Sequence, residues 1–315
     1  MAADDSFTLP PVMHPVRQFL RREYRRASII ASQTRATLAS CTRTGRLALL
    51  AGNPSRKELL VIPSANYDTG LFAAFASVLG LLEHYDNWRR YYAGVQVDFG
   101  TRGLYYDPSA GNNWWDYFFE LVDFGATPDA PKAIISDDEQ IRFAKRVERT
   151  MPREVGFRLI DRYIRIKQHL RDEVDSYVRD KFGSALVIGI HYRGTDKFED
   201  APRVPYDRVH AAVLEVIDAT APLRCKLFVA TDEQAFLDYA RDRFPGRVHC
   251  LEMHRSTDGS PIDILQVENR RKGKDAVMDC LLLSRCDRLV RTASNLSLCS
   301  TLFNPHMPVV LLNRE

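Results

Sequence analysis

The apolar run at residues 185–190 (Ala-Leu-Val-Ile-Gly-Ile) constrains the fold of this chain more than any other feature. A continuous apolar, β-branched run is typical of a strand buried on both faces, as in a parallel sheet covered by helices. Similar runs recur in the second half and alternate with longer helical segments, a pattern of α/β folds. We therefore predict a doubly wound unit with further strands at residues 226–230, 247–252, 288–291 and 309–312. Its helices are expected to begin near residue 206 and to span residues 233–244, 275–286 and 295–303.

The first half shows the same alternation in a weaker form. Strands are predicted at residues 58–62 and 94–99, with an apolar helix at residues 70–85 between them. Helical spacing of apolar residues predicts one long connecting helix over residues 157–181. With 315 residues the chain is long enough for two domains. The predicted fold is α/β, with two Rossmann-like domains, residues 1–183 and 184–315, facing a central cleft.

Composition and charge exclude several classes of function. The net charge of +3, from 44 basic and 41 acidic residues, is too small to indicate a nucleic-acid partner. The sequence contains no C-x-x-C pair, so the spacing of its cysteines does not indicate a zinc site. No apolar run approaches the roughly 20 residues of a membrane-spanning helix. No secretory signal is visible, so a cytoplasmic location is expected. The arginine-rich stretch at residues 17–26 suits a solvated helix face, with peripheral contact to an anionic membrane as the alternative.

The end of the strand at residues 185–190 carries the densest polar cluster in the chain. It leads directly into His191, Arg193, Gly194, Asp196 and Lys197. The planar guanidinium of arginine suits phosphate oxygens, and glycine lets the backbone approach a ligand closely. The alternative is a charged surface turn with an Arg–Asp pair. Because ligands of such folds bind beyond the carboxyl ends of the strands, we favour a binding site.

Three other polar positions follow predicted strands or enter helices. Asp232 ends the strand at residues 226–230, where it suits either a ribose hydroxyl or the cap of the next helix. Asp279 is placed just inside the start of the helix at residues 275–286. Ser294 and Asn295 lead into the last helix, whose free N–H groups suit an anion or an ordinary cap. These positions predict a diphosphate site shared with Arg193.

Two further segments allow both a structural and a functional interpretation. The basic run Arg270, Arg271, Lys272 and Lys274 is interpreted as a solvated loop, with a mobile lid over phosphates as the alternative. An aromatic loop suits either stacking on a sugar acceptor or packing on its own rings. Its aromatic residues are Tyr105, Tyr106, Trp114, Trp115 and Tyr117.

Taken together, the motifs of the second half resemble a known superfamily. The heptad His-Tyr-Arg-Gly-Thr-Asp-Lys at residues 191–197 is similar to the strand-end motif of the α1,6-fucosyltransferases and protein O-fucosyltransferases, including the bacterial nodulation fucosyltransferases. Residues 279–287 and 292–295 are similar to the second and third motifs of that superfamily in order and approximate spacing. The resemblance covers about residues 185–312.

The resemblance implies a GT-B fold and an inverting glycosyltransferase that works without a metal or another cofactor. The donor would be GDP-fucose or a close relative of it. Arg193 would hold its β-phosphate, His191 and Asp279 would contact guanine, and Ser294 and Asn295 would contact the diphosphate. The sequence itself requires no bound Mg²⁺, because no D-x-D stands at a strand end.

Two positions depart from the superfamily pattern. Members related to the α1,6 enzymes often carry two adjacent arginines, and the second is Gly194 here. Their catalytic carboxylate follows the motif lysine, which is Lys197 here; Glu199 and Asp200 lie in that neighbourhood at a different spacing. Either carboxylate would take the proton of the acceptor hydroxyl.

Three alternatives stay open at this point. One is a glycosyltransferase that uses another nucleotide sugar, and another is a non-catalytic protein that binds a nucleotide sugar. A dinucleotide oxidoreductase is disfavoured, because no G-x-G-x-x-G follows a strand. The acceptor is expected to be a glycan or a glycolipid, which the sequence does not identify further.

Overall fold

The computed structural model describes residues 57–63, 69–101, 103–122, 129–195, 202–220, 225–260 and 268–313. Four of the predicted site residues lie outside these ranges: Asp196, Lys197, Glu199 and Asp200. The arginine-rich stretch at residues 17–26 also lies outside them.

A three-stranded parallel sheet forms the core of the first half, in the order β2-β1-β4. Its strands are β1 (Glu58–Pro63), β2 (Tyr92–Asp98) and β4 (Lys132–Ile134). Five of the six residues of β1 are buried, as expected for a central strand with an apolar sequence. Helix α1 (Leu71–Trp88) connects β1 to β2, and it is buried on several sides because α2 (Asp137–Thr150) packs along it.

A five-stranded parallel sheet organises the second half, in the order β10-β9-β6-β7-β8. Its strands are β6 (Val187–Tyr192), β7 (Lys226–Thr231), β8 (Val248–His249), β9 (Arg288–Arg291) and β10 (Val309–Leu311). All six residues of β6 are buried, which confirms the prediction made from its apolar sequence. The strand continues through His191 and Tyr192, so the polar motif begins inside the sheet.

Helices cover both faces of this second sheet. They are α5 (Tyr206–Ala219), α6 (Gln234–Arg243), α7 (Asn269–Ser284) and α8 (Asn295–Phe303). Apolar residues of α5 and α6 share one core cluster with Ile188 and Ile190, whereas α7 packs on the opposite face near Gly189. The cluster that contains α7 and α8 also contains α1, so one apolar core continues between the two halves.

The predicted single helix over residues 157–181 is wrong. The chain forms α3 (Arg153–Tyr163), the short strand β5 (Ile164–Ile166) and α4 (Gln168–Tyr177), which continues as a π-helix (Val178–Phe182). Strand β5 pairs antiparallel with β3 (Phe119–Leu121). The β-branched pair of Ile164 and Ile166 suits this strand, and the helical spacing on either side concealed the interruption.

Two other boundaries differ from the prediction. Strand β8 has two residues rather than six, and beyond it the carbonyl of Leu251 accepts a hydrogen bond from the guanidinium of Arg255 at 2.8 Å. Helix α7 begins at Asn269 rather than near residue 275. The basic run Arg270–Lys274 is therefore helical, so its interpretation as a loop is wrong, and its role as a lid over phosphates stays a prediction. The domain division at residues 183 and 184 stays a prediction.

The close contact between α1 and α2 gives a test of this packing. A Cβ at Gly80 would lie 2.5 Å from the backbone oxygen of Phe143. We expect Gly80→Ala to lower the free energy of unfolding by about 1–3 kcal/mol, because the helices must separate. This loss outweighs the gain of about 1 kcal/mol in helix propensity. Urea unfolding followed by circular dichroism measures the difference.

The matched control is Asn87→Ala, at an exposed position of the same helix. Its free energy of unfolding should stay within about 0.5 kcal/mol of the wild type. Equal stability of Gly80→Ala and the control would contradict the close packing of α1 on α2.

Candidate functional site

The carboxyl ends of β6, β7 and β9 meet at one edge of the second sheet. Strand β6 pairs with β7 and β9 on its two sides. The chain first continues outwards on one side through β7 and β8, and then crosses to the other side to form β9 and β10. The strand order therefore reverses at β6, which is the place where open α/β sheets bind ligands. The predicted motif residues His191, Arg193 and Gly194 all lie at this point.

The carboxylate of Asp232 organises the turn that follows β6. Its Oδ1 accepts the backbone N–H of Gly194 at 2.8 Å. Its Oδ2 accepts the hydroxyl of Thr195 at 2.7 Å and pairs with Nε of Arg193 at 3.0 Å. Asp232 is buried, and the next helix has Glu233 rather than Asp232 at its N-cap. The interpretation of Asp232 as a helix cap is therefore wrong, because this carboxylate holds the strand-end turn.

The backbone of Arg193 connects the first and third motifs. Its N–H donates to the hydroxyl of Thr292 at 2.9 Å, and the N–H of Thr292 donates to the carbonyl of His191 at 3.0 Å. The Arg193 side chain is partly exposed, whereas Thr292 is buried. The structure thus brings Arg193 next to the segment that begins helix α8, as the predicted diphosphate site requires.

The start of α8 is open towards this edge. Ser294 is the N-cap, and within the described residues its side chain makes no capping hydrogen bond. The guanidinium of Arg291 instead fixes the turn, donating to the carbonyl of Ser294 at 3.1 Å and to the hydroxyl of Ser297 at 2.9 Å. The first turn of a helix carries partial positive charge and N–H groups that suit an anion. Arg291 begins the predicted segment at residues 291–295, but no role was predicted for it; its signal is a charged residue at the end of a buried strand.

Gly194 is required by its surroundings. A Cβ at this position would lie 1.9 Å from Oε2 of Glu233 and 2.8 Å from the ring of Tyr192. The carboxylate of Glu233 therefore lies against the position where an arginine side chain would begin. Glu233 was not predicted as a site residue, because only the folded turn brings it beside Gly194.

Asp279 lies within α7, three turns from its start rather than just inside it. Gly189 of β6 faces Leu283 of α7, since a Cβ at Gly189 would lie 3.1 Å from the Leu283 side chain. His191 lies two residues after Gly189 in β6, a distance of about 7 Å along the strand. Asp279 lies four residues before Leu283 in α7, a distance of about 6 Å along the helix axis. Because α7 runs opposite to β6 before entering β9, these two predicted site residues belong to facing elements.

The environment of Asp279 favours its protonated form. Burial raises the pKa of this carboxyl to about 8, and nearby Asp275 acts in the same direction, whereas Arg255 opposes the shift. Oδ1 of Asp279 has no hydrogen-bond partner among the described residues. A buried acceptor without a donor is costly, so a ligand that supplies a donor here would be stabilised.

The basic run lines a cleft of about 660 Å³ between the two halves. Arg270, Arg271 and Lys274 of α7 face Glu173 of α4 across it, and Lys274 pairs with Glu173 at 2.7 Å. The cleft also contains Tyr117 and Phe118 of the first half. The residues that line this cleft do not include Arg193, Asp232 or Glu233, so the cleft is separate from the strand-end cluster.

The aromatic loop packs mainly on its own rings. Tyr105, Trp114, Trp115 and Tyr117 are buried, and the ring centroids of Tyr105 and Trp114 lie 5.2 Å apart. Tyr106 is partly buried against the same core. Of the two interpretations, packing of the loop is the one that this burial favours.

Neither a metal cluster nor a membrane span occurs in the described ranges. No group of three or more His, Cys, Asp or Glu residues is arranged there to hold a metal ion. In the same ranges, no helix is long and apolar enough to cross a membrane.

Sequence comparison identifies one family. The family model of nodulation protein Z (NodZ) matches residues 146–310, more than half of the chain. No curated protein sequence matches the chain.

Solved structures that are similar in fold to this chain include fucosyltransferases. The α1,6-fucosyltransferase NodZ soaked with GDP-fucose is 18% identical, with a TM-score of 0.52 over 79% of this chain and 93% of that chain. NodZ from Bradyrhizobium is 18% identical, with a TM-score of 0.50 over 79% of this chain and 97% of that one. A FUT1 variant from Arabidopsis thaliana in complex with GDP is 13% identical, with a TM-score of 0.50 over 81% and 70% of the two chains. The predicted GT-B-like fold is confirmed.

The hydrogen bonds to Asp232 predict a loss of stability in Asp232→Asn. The amide replaces one carboxylate oxygen with a donor, so at least one of the three donors loses its acceptor: the N–H of Gly194 at Oδ1, or the Thr195 hydroxyl and Arg193 Nε at Oδ2. The free energy of unfolding should fall by about 1.5–3 kcal/mol, as for hydrogen bonds to charged groups. Urea unfolding tests this, with Asp238→Asn on the exposed side of α6 as the control. Equal denaturation midpoints for the two variants would contradict the role of Asp232.

The raised pKa of Asp279 predicts a pH dependence of stability. Its carboxyl is protonated in the folded state up to about pH 8 but ionises near 3.8 when unfolded. Folding therefore takes up a proton between these values, and stability is lost as the pH rises towards 8. The slope is at most about 1.4 kcal/mol per pH unit.

Asp279→Asn should remove this contribution, so the variant should gain stability relative to the wild type as the pH rises. Urea unfolding at pH 5.5, 6.5, 7.5 and 8.5 measures the difference. The control is Asp175→Asn, at the half-exposed carboxylate that pairs with Arg285. Parallel pH profiles of wild type and Asp279→Asn would refute the prediction.

Proposed function

We propose that this chain, which belongs to the NodZ family, transfers fucose from GDP-fucose to a hydroxyl group of a glycan acceptor. The chain is a glycosyltransferase of the fucosyltransferase superfamily, as its motifs predicted. The donor, the inversion at the sugar carbon and the role of each residue are our proposals. GDP-fucose and GDP are the ligands named for the solved relatives.

One observation carries the proposed donor site: Arg193 and the start of α8 are joined at the strand-order reversal. The hydrogen bond from the Arg193 N–H to Thr292 places both beside the same space. A guanidinium and the first turn of a helix are both groups that commonly hold phosphate oxygens. We therefore assign the donor diphosphate to Arg193, Gly194, Ser294 and Asn295. In this assignment Asp232 acts through Arg193, because its carboxylate orients the guanidinium.

The base of the donor is assigned to the space between β6 and α7. His191 and Asp279 lie on these facing elements, and both side chains are buried. The edge of guanine offers two N–H donors beside a carbonyl acceptor. Such donors would satisfy the Oδ1 of Asp279, which has no partner in the described part of the chain. They would also favour its ionised form and so lower its pKa.

The proposed reaction is a displacement at the anomeric carbon of fucose. The acceptor hydroxyl attacks, the bond to the β-phosphate oxygen breaks, and the configuration inverts. Negative charge grows on the leaving diphosphate, where Arg193 and the N–H groups of α8 stabilise it. Glu199 or Asp200 takes the proton of the acceptor hydroxyl, and Asp196 and Lys197 are assigned to the same site from the sequence motif. In this proposal the cations of the protein neutralise the leaving group, and no metal is needed.

The acceptor is proposed to be a glycan or a glycolipid that the enzyme meets in the cytoplasm. The small net charge of +3 disfavours a nucleic acid as the acceptor. Contact with a membrane surface through residues 17–26 belongs to the same proposal. The proposal leaves the identity of the acceptor and the linkage to an acceptor screen.

The first test is binding of GDP-fucose by the wild type and by Arg193→Ala, measured by calorimetry. Loss of one charged phosphate contact should cost about 3 kcal/mol in the transition state, so turnover should fall about 100–1,000-fold. Binding should weaken in the same direction. The matched control is Arg285→Ala, which removes an arginine paired with Asp175 at 3.0 Å far from the strand ends.

Released GDP, measured with and without candidate acceptors, separates the alternatives. Binding of GDP without release from GDP-fucose would indicate a non-catalytic binder. Turnover of GDP-mannose or a UDP-sugar in place of GDP-fucose would change the donor. Full activity of Arg193→Ala would show that the diphosphate lies elsewhere.

A further inference from the structure

Two consecutive carboxylates at the end of β7 each hold one arginine. Asp232 pairs with Arg193 at 3.0 Å, and Glu233 pairs with Arg203 at 2.7 Å. The carboxylate side chains are 5% and 10% exposed, whereas the arginine side chains are 26% and 46% exposed. The two carboxylates are therefore buried, and the two guanidinium groups lie closer to solvent.

Several contacts give Arg203 a defined position. Its Nη2 donates to Oε1 of Glu233, and its Nε donates to the hydroxyl of Tyr192 at 3.3 Å. The Tyr192 hydroxyl in turn donates to the carbonyl of Val204 at 3.0 Å. The guanidinium also lies 5.8 Å from the ring centroid of Tyr206. An exposed arginine rarely has so many fixed partners, and such preorganisation lowers the entropy cost of binding an anion.

Gly194 is what allows this arrangement beside the strand end. Because the Cβ of any larger residue would lie 1.9 Å from Oε2 of Glu233, a side chain here would displace that carboxylate. Arg203 would then lose its buried anchor. The chain thus has no side chain at position 194, and a guanidinium from a separate segment is held beside it.

We propose that Arg203 is a second phosphate-binding residue, which contacts the β-phosphate of the donor together with Arg193. This inference rests on the proposed function, because it takes the diphosphate to lie at the strand ends. The two guanidinium groups pair with neighbouring carboxylates, and both carboxylates contact Gly194: Asp232 accepts its N–H, and Glu233 occupies the space of a Cβ. A diphosphate carries charge on both phosphates, and two oriented guanidinium groups can bind it with bidentate geometry.

The competing explanation is that Arg203 only neutralises the buried carboxylate of Glu233. Removing Arg203 alone would leave that carboxylate without its ion pair and could unfold the protein. The test therefore uses the double variant Arg203→Gln/Glu233→Gln, which removes both charges and keeps a polar side chain at each position. A thermal melt establishes that it is folded.

The measurement is the affinity for GDP and for GMP, by calorimetry, in the wild type and the double variant. We expect the affinity for GDP to fall at least 10-fold and that for GMP to fall less than 3-fold, because only GDP has a β-phosphate. The affinity of Arg203→Lys for GDP should lie between that of the wild type and that of the double variant, because lysine keeps the positive charge but not the fork of donors. The control Arg146→Gln/Glu83→Gln removes a similar ion pair on α1 and α2.

The outcomes separate the inference from the proposed function. A double variant that binds GDP and GMP in the wild-type ratio overturns the role of Arg203 and leaves the donor site intact. Wild-type protein that binds neither GDP nor GDP-fucose overturns both. A selective loss for GDP in the double variant, with no change in the control, supports Arg203 as a phosphate ligand.

Discussion

The carboxylate of Asp232 is the interaction on which the geometry of the strand-end site depends. It accepts a backbone N–H, a hydroxyl and a guanidinium N–H, all from the three residues that follow β6. A turn after a buried strand has no ladder partners for its own polar groups, and a buried acceptor supplies them. Because a charged acceptor binds more strongly than a neutral one, the turn and the Arg193 side chain are fixed together. The carbonyl of Asp232 also accepts the N–H of Ser256 at 2.8 Å, which connects the turn to the loop after β8.

The apolar core holds this polar edge in place. Helices α1, α7 and α8 share one core cluster, so the start of α8 is packed against elements of the first half. The groups that could bind an anion are therefore fixed by large buried surfaces, and their order is not lost when a ligand leaves. This matters for catalysis, because donors that are already oriented stabilise developing charge without reorganisation.

Prediction from the sequence succeeded where one element determined the pattern by itself. The burial of β6, the bounds of β9 (Arg288–Arg291) and of α8 (Asn295–Phe303), and the polar turn after β6 all follow from local composition. It failed where pairing with a distant segment decided the structure. The strand at Ile164–Ile166 exists because Phe119–Leu121 lies beside it, and no periodicity in residues 157–181 records that partner. The early start of α7 was missed because its first turns are basic and lack the apolar spacing that marks a helix.

Gly194 and Glu233 show the same limit within the site. Read along the chain, a glycine in the place of an arginine looks like the loss of a phosphate ligand. In three dimensions the glycine makes room for the carboxylate of Glu233, which holds Arg203, so the local positive charge is relocated rather than lost. The two arginines differ in origin but share one design, since each is anchored on a buried carboxylate of the same dipeptide. Each arginine and its carboxylate come from different segments of the chain, so a motif within one segment contains only one residue of each pair.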